Sequence, residues 1–291
     1  MNLRDLHPKR FFIDGWREID REAIDYRAKA AKTGRGDSFL AVYIFVVVAI
    51  CLILLKYLGK GSVFFEMVHF IDHPDSAQTD PFLFSLVGWL RPETTTLYEY
   101  ITQGGYKELW RLGYWASWRV LGYFVIPLIA IALHPRLRKA PMGLSFKGMG
   151  RHIWIYVVLF IPVLVAVFAV SFMEEFSSYY PFYDNAYRSL FDFLVWETFY
   201  MAQFLSLEFF YRGFMIQPLK RSMGSSAIFA MMIPYVMVHF GKPMLECFGA
   251  IIAGIVLGTL AIRTRSIWSG FLIHASVAVS MDVLAIWQIH W

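Results

Sequence analysis

Charge is scarce in this sequence. Only 17% of its 291 residues are Asp, Glu, Lys or Arg, against roughly 25% in ordinary soluble domains. Hydrophobic residues make up 58% and aromatic residues 18%, and they come in long blocks, which excludes a simple soluble domain and points to the membrane class. Cysteine is nearly absent. Cys51 and Cys247 lie in or beside apolar blocks without metal-ligand spacing, so no disulfide framework is implied and both read as small buried hydrophobes. A cleaved signal peptide is not expected either: residues 1–37 are highly charged and lack the apolar core of about 7–15 residues that a signal needs. The first apolar block is therefore expected to act as an uncleaved anchor. No internal repeat or low-complexity linker splits the chain. The net charge of +5 forms no basic face or nucleic-acid reading module, so nucleic acid is not expected as a partner.

What charge there is falls between apolar blocks. Residues 1–38 carry nine Lys/Arg and seven Asp/Glu and read as a charged cytosolic extension, either an interfacial docking element or a solvated tail. Residues 39–291 form a membrane domain. The stretch from Phe39 to Leu58 gives about twenty residues, enough to cross a hydrocarbon core of ~30 Å. Further spans are expected at about Trp115–His134, with Trp115, Trp118 and Tyr123 at the interface and Arg119 snorkelling, and at Ile153–Met173. Spans at about Leu190–Leu219, from after Gly224-Ser225 to near His239, and at about Glu246–Ile262 and Ile267–Ile289 complete the set. The expected fold is an all-α polytopic bundle of about seven transmembrane helices. With the N-terminus in the cytosol, the Lys/Arg-only connections at 135–151, 220–221 and 263–265 all fall on the cytosolic side. Ala250, Gly254 and Gly258 recur every four residues, a small-residue stripe that lets a helix pack closely inside a bundle.

The connection from Gly59 to Gly113 is expected outside or at the interface, with a short re-entrant piece around Phe82 to Leu90. Its Glu66, His69, Asp72 and His73, with Asp75 and Asp80 beyond, stand at helical spacing. A hydrated surface explains them better than a metal site.

The residues suited to chemistry lie elsewhere. Glu208 and Arg212 stand one helical turn apart in an otherwise apolar segment, so they share a face and can pair. An ionisable residue at membrane depth costs at least ~2.5 kcal/mol on insertion scales and faces a bundle interior or aqueous cavity. Glu208 and His239 are symmetric about the Met223-Gly224 turn, which in a helical hairpin places them at equal depth, and His274 falls in the same region of the last span. A carboxylate, a guanidinium and two imidazoles suit activation of water: Glu as base, one His sharing the proton, the second donating to an oxyanion. The same residues also suit an ion pair that fixes helix rotation, a binding scaffold without turnover, a site with Glu246 as substitute base, or a metal- or proton-linked carrier. Glu197 shares the face of Glu208 but stands ~16 Å along the axis, too far to share one water.

The motifs and their order resemble the CPBP family of CAAX-protease and bacteriocin-processing (Abi) membrane proteins, glutamic-type intramembrane endopeptidases. The resemblance covers about Ser206 to Ala278, within a core of about 190–289. Leu207-Glu208-Phe209-Phe210-Tyr211-Arg212 is similar to the family's Glu-Glu-x-x-x-Arg, with Leu207 in the place of the first Glu. Tyr235 to His239 is similar to Phe-x-x-x-His, and His274 to Ala278 to His-x-x-x-Asn, with Ala278 in the place of Asn. Gly241-Lys242-Pro243 with Glu246 resembles segments of bacterial members. The resemblance implies an endopeptidase of the bacterial inner membrane, with Glu208, His239 and His274 catalytic and Arg212, Tyr235, Lys242 and Glu246 in support. It also implies membrane lipid and a membrane-anchored or lipidated peptide or protein as partners, and neither cofactor nor metal.

Overall fold

The computed structural model describes residues 3–32, 38–72, 97–146 and 149–289. These residues are helical, with no strand among them. In chain order the main helices are α1 (Gly15–Lys32), α2 (Ser38–Tyr57), α3 (Gly61–Asp72), α4 (Leu97–Gln103), α5 (Lys107–Leu133) and α6 (Met149–Val170). Then come α7 (190–223), α8 (Ser226–Met237), α9 (Met244–Thr264) and α10 (Trp268–Ile289). The re-entrant piece expected around 82–90, together with His73, Asp75 and Asp80, lies outside the described residues.

The membrane class shows in how apolar residues are distributed around the helices. On α2, Leu40, Ile44, Val48, Cys51 and Leu55 are buried, while Phe39, Val42, Val46, Ile50 and Ile53 on other faces are exposed. A helix apolar on every side has no face for water and belongs in lipid. At 1.5 Å per residue its twenty residues reach about 30 Å. Seven crossings are the expectation; by length and composition, four described helices qualify, namely Phe39–Tyr57 in α2, α5, α9 and α10. Trp154–Val170 in α6 and Ser226–Met237 in α8 are apolar but shorter.

At the centre stands α7, built in three pieces: Leu190–Glu208, a π-helical stretch Phe209–Ile216, and Gln217–Met223. Its start is capped by Ser189, whose side chain accepts from the Asp192 N–H. Pro218 offers no N–H to the turn before it, and the wider π winding lies directly upstream. Every residue from Phe209 to Leu219 is buried. The small-residue stripe packs as expected. A Cβ at Gly254 would stand 3.0 Å from Met232 Cγ, and one at Gly258 3.0 Å from Ile228 Cγ2, so α9 lies directly on α8. Gln217 Nε2 ties α7 to the Ala261 carbonyl of α9 at 2.9 Å.

The charged N-terminal segment docks on this core. Ile19 and Ala23 of α1 are buried, and Trp16 Nε1 donates to Thr259 Oγ1 of α9 at 3.1 Å. Asp20 accepts from the Ser225 backbone N–H at 2.7 Å and from its hydroxyl at 3.1 Å. Arg263 Nη1 donates to the Arg10 carbonyl at 2.9 Å. The α7–α8 turn therefore depends on α1, and Gly224 at its apex has φ +60° with Asp20 packed against the position a Cβ would occupy. Gly224→Ala is expected to cost roughly 1–3 kcal/mol through backbone strain and the overlap with Asp20. A fall in the thermal unfolding midpoint in detergent micelles checks this; an unchanged midpoint contradicts it.

Candidate functional site

Glu208 ends the α-helical piece of α7, and Arg212 lies one turn on, within the π stretch. Both side chains are 0% exposed. Arg212 Nη1 lies 3.1 Å from Glu208 Oε1. The contact is an ion pair rather than an aligned hydrogen bond, since the guanidinium nitrogens have no hydrogen-bond partner among the described residues. The guanidinium instead lies over the Tyr235 ring, with Cζ 4.1 Å from its centroid. Burying a charge without water is tolerated only when an opposite charge is close.

The same oxygen meets a third group. His274 Nδ1 of α10 lies 3.2 Å from Glu208 Oε1. A carboxylate held beside a guanidinium accepts, so the contact puts the hydrogen on Nδ1, and in the neutral ring the lone pair of His274 is then on Nε2. This approach depends on Gly270, one turn earlier on α10, because a Cβ there would overlap Glu208 Oε2. His239 is fixed in the same tautomer by another route: its Nδ1 stands 2.8 Å from the Tyr235 carbonyl, which can only accept. Its ring packs on Tyr235 at 4.8 Å, and Tyr235 in turn faces His274 at 6.2 Å.

His239 and His274 line one cavity of about 60 Å³, together with Leu207, Gln203, Lys242 and Arg119. That volume holds several water molecules. Its remaining walls are largely aromatic, with Trp115 and Tyr123 of α5, Phe182, and Tyr200 and Phe204 of α7. Phe204 stacks against His274 at 4.5 Å. No carboxylate is among the described residues that line the cavity. Glu208 sits behind the wall, and Leu207 occupies the wall itself.

The structure brings Glu208, Arg212, Tyr235 and His274 together and sets His239 on the shared cavity. The equal-depth argument expects Glu208 opposite His239, yet the direct partner of Glu208 is His274. α8 ends at Met237, so His239 lies in the turn beyond it and the helical-hairpin register stops short of it. Lys242 and Glu246 form their own pair at 2.6 Å, and Tyr180 Oη donates to the second Glu246 oxygen at 2.8 Å. Lys242 reaches the cavity; Glu246 does not line it. Glu197 is 7% exposed, and neither of its carboxyl oxygens has a hydrogen-bond partner among the described residues. The same residues contain no group of three or more His, Cys, Asp or Glu side chains placed to hold a metal ion.

Several site residues escape the motif reading. Trp115, Arg119 and Tyr123 stand four apart, so α5 turns one stripe to the cavity, although their sequence reads as an interface belt with a snorkelling arginine. Asp282 lies eight residues after His274 on α10. It accepts from Trp196 Nε1 at 2.8 Å and from the Phe182 N–H at 3.1 Å, which fixes the aromatic end of the cavity. Its spacing from His274 places it on the same helix face and is the signal that could have found it.

A family model described as Rce1-like, type II CAAX prenyl endopeptidase, matches residues 189–280. This is the family that the motifs resemble, and the matched stretch runs from the cap of α7 through the cavity-facing part of α10. α5, with Arg119, lies outside it. Neither a curated protein nor a solved structure matches the chain.

Removing one member of the buried pair leaves its partner's charge in an apolar interior. Arg212→Met is therefore expected to cost roughly 3–5 kcal/mol. Combined with Glu208→Gln, the loss is expected to be smaller than the sum of the two single losses. Denaturant unfolding in mixed micelles reads both quantities, and additive losses would show that the two side chains do not interact.

Proposed function

We propose that the chain is an intramembrane endopeptidase that hydrolyses a peptide bond in a membrane-anchored or lipidated substrate, with His274 taking the proton from water. The observation that carries this reading is the Glu208–His274 contact opening onto a water-sized cavity. The match to a CAAX endopeptidase family supports the reaction class.

The sequence alone assigns the base to Glu208. Behind Leu207, with its partners Arg212 and His274, this carboxylate is better suited to hold and charge-balance His274 than to meet water. Neutral His274 presents the Nε2 lone pair as general base. The water oxygen bonds to the scissile carbonyl carbon as its proton passes to Nε2, and the resulting imidazolium is stabilised by Glu208. The Gln203 amide and the Lys242 ammonium line the same cavity and are the available donors to the oxyanion. On collapse the C–N bond breaks, and His274 returns the proton to the leaving amine. His239, also with a free Nε2 lone pair, orients the water. Arg212 and Tyr235 act on the base through Glu208, while Glu246 sets the position of Lys242. No cofactor or metal enters these steps. The Lys/Arg-only connections favour an N-terminus in the cytosol of a bacterial cell with the chain in its inner membrane.

One observation favours a second reading. Leu207 stands on the cavity wall where the family motif carries a carboxylate, and the cavity lining contains none among the described residues. Under that reading the protein binds hydrophobic or lipidated peptides without cutting them.

Purified protein in proteoliposomes, offered farnesylated peptides and peptides carried on a transmembrane helix in water enriched with ¹⁸O, separates the two. Cleavage is expected to place ¹⁸O in the new carboxylate. His274→Ala is expected to lose roughly 10²–10⁴-fold in rate, as for removal of a general base. Glu208→Gln is expected to lose rate as well, because its amide cannot stabilise the imidazolium. Equal turnover by wild type and His274→Ala would discard the assigned base. Peptide binding with no turnover by wild type would establish the second reading.

A further inference from the structure

A second cavity, of about 340 Å³, shares no lining residue with the one that His239 and His274 face. Phe65 of α3 and Thr102 of α4 form one side, the first turns of α5 another, and Asn185 from the segment before α7 closes it. Its charge comes from Lys107, Glu108 and Arg111 of α5. Arg111 Nη2 lies 3.0 Å from Glu108 Oε1, and Asn185 Nδ2 donates to Glu108 Oε2 at 3.4 Å, so both carboxylate oxygens are engaged. Lys107 makes no ion pair among the described residues; its Nζ stands 5.3 Å from the centre of the Phe65 ring. Two cations against one committed carboxylate leave the lining with an uncompensated positive charge. Nearby charges do not alter this: Asp184 is exposed and does not line the cavity, and Arg188 is balanced by Asp192 at 2.6 Å.

The lining also has hydrogen-bond donors to spare. Arg111 keeps N–H groups beyond the one facing Glu108, Lys107 has three, and Asn185 has a second amide hydrogen. Gly61 admits the stem of Arg111, since a Cβ there would overlap its Cγ. Convergent donors and a net positive charge suit a phosphoryl group, and the volume falls within the ~300–1,000 Å³ of ligand pockets. Position narrows the source of that group. α5 is long and apolar enough to cross a membrane from Lys107 onward, and Tyr100, Tyr106 and Trp110 near its start are exposed, as in an aromatic belt at headgroup level. We propose that this cavity binds a phosphoryl group between Lys107 and Arg111, and that the group belongs to the headgroup of a membrane phospholipid. The site does not depend on the hydrolytic reading above.

Purified protein in dodecyl maltoside is titrated with dioleoylphosphatidylglycerol and, separately, with dioleoylglycerol, which has the same acyl chains and no phosphate. Native mass spectrometry reads the affinity for the first bound lipid. Wild type is expected to bind the phosphatidylglycerol about tenfold more tightly, equivalent to ~1.4 kcal/mol. Lys107→Gln removes an exposed cation and leaves the Arg111–Glu108 pair intact, so it is expected to fold normally and to bring the two lipids within about threefold. Adding Arg111→Gln is expected to bring them within about twofold. Lys60→Gln, which removes an exposed cation just before α3 and outside the cavity, is expected to keep the full preference. Equal affinities in wild type overturn the site, as does a full preference that survives Lys107→Gln or a loss just as large in Lys60→Gln. Excess glycerol 3-phosphate is expected to leave the lipid bound. Its displacement of the lipid at micromolar concentration would keep the phosphoryl site but overturn the phospholipid as its occupant in favour of a soluble phosphate ester.

Discussion

Two opposite charges buried one turn apart, Glu208 and Arg212, set the terms for the centre of this protein. Neither side chain touches solvent, and in a lipid-embedded bundle there is no water to replace a lost partner. Everything nearby accommodates the pair. The π-helical stretch positions Arg212 on the Tyr235 ring, Gly270 leaves room for the carboxylate, and His274 supplies the hydrogen bond the ion pair lacks. The cost of burying the charges is offset only if α7, α8 and α10 meet in this arrangement, so one electrostatic requirement fixes three helices.

That requirement also shapes the chemistry. A carboxylate occupied by a guanidinium and an imidazole stands behind the cavity wall and does not line the cavity. In the proposed reaction the groups that meet water are therefore the imidazoles of His274 and His239, both of which line the cavity. Leu207 then reads as part of an apolar wall, and polarity around the cavity comes from Gln203, Lys242 and Arg119. The third wall, α5, lies outside the matched segment and supplies Arg119.

The helical membrane bundle was legible in composition and block length, and the central motifs were legible in the order of Glu208, Arg212, His239 and His274. Details of rotation were not. On a helix apolar all round, such as α5, no polar face marks which stripe turns inward, so Trp115, Arg119 and Tyr123 read as interface residues. Equal spacing about the Met223-Gly224 turn assumes continuous α-helix on both sides, and both assumptions fail. The π stretch changes the pitch of α7, and α8 stops before His239. The docking of α1 was half-legible: its Ile19 and Ala23 show a contact face, but the partners Ser225 and Thr259 are more than 200 residues away in the chain. The spacing of Asp282 from His274 could place it on the same helix face, but a lone acid in an apolar helix gives no indication of its partners Trp196 and Phe182.

The central claim is that Glu208 holds His274 by its Nδ1–H and leaves Nε2 as the free base. Nitrogen-15 NMR of histidine-labelled protein in nanodiscs near neutral pH, with His274 assigned by comparison with His274→Ala, reports this directly. The account predicts a neutral ring with the hydrogen on Nδ1 and an unprotonated Nε2, shifting in the Glu208→Gln variant. A His274 signal with the hydrogen on Nε2, or one unchanged by Glu208→Gln, would contradict it.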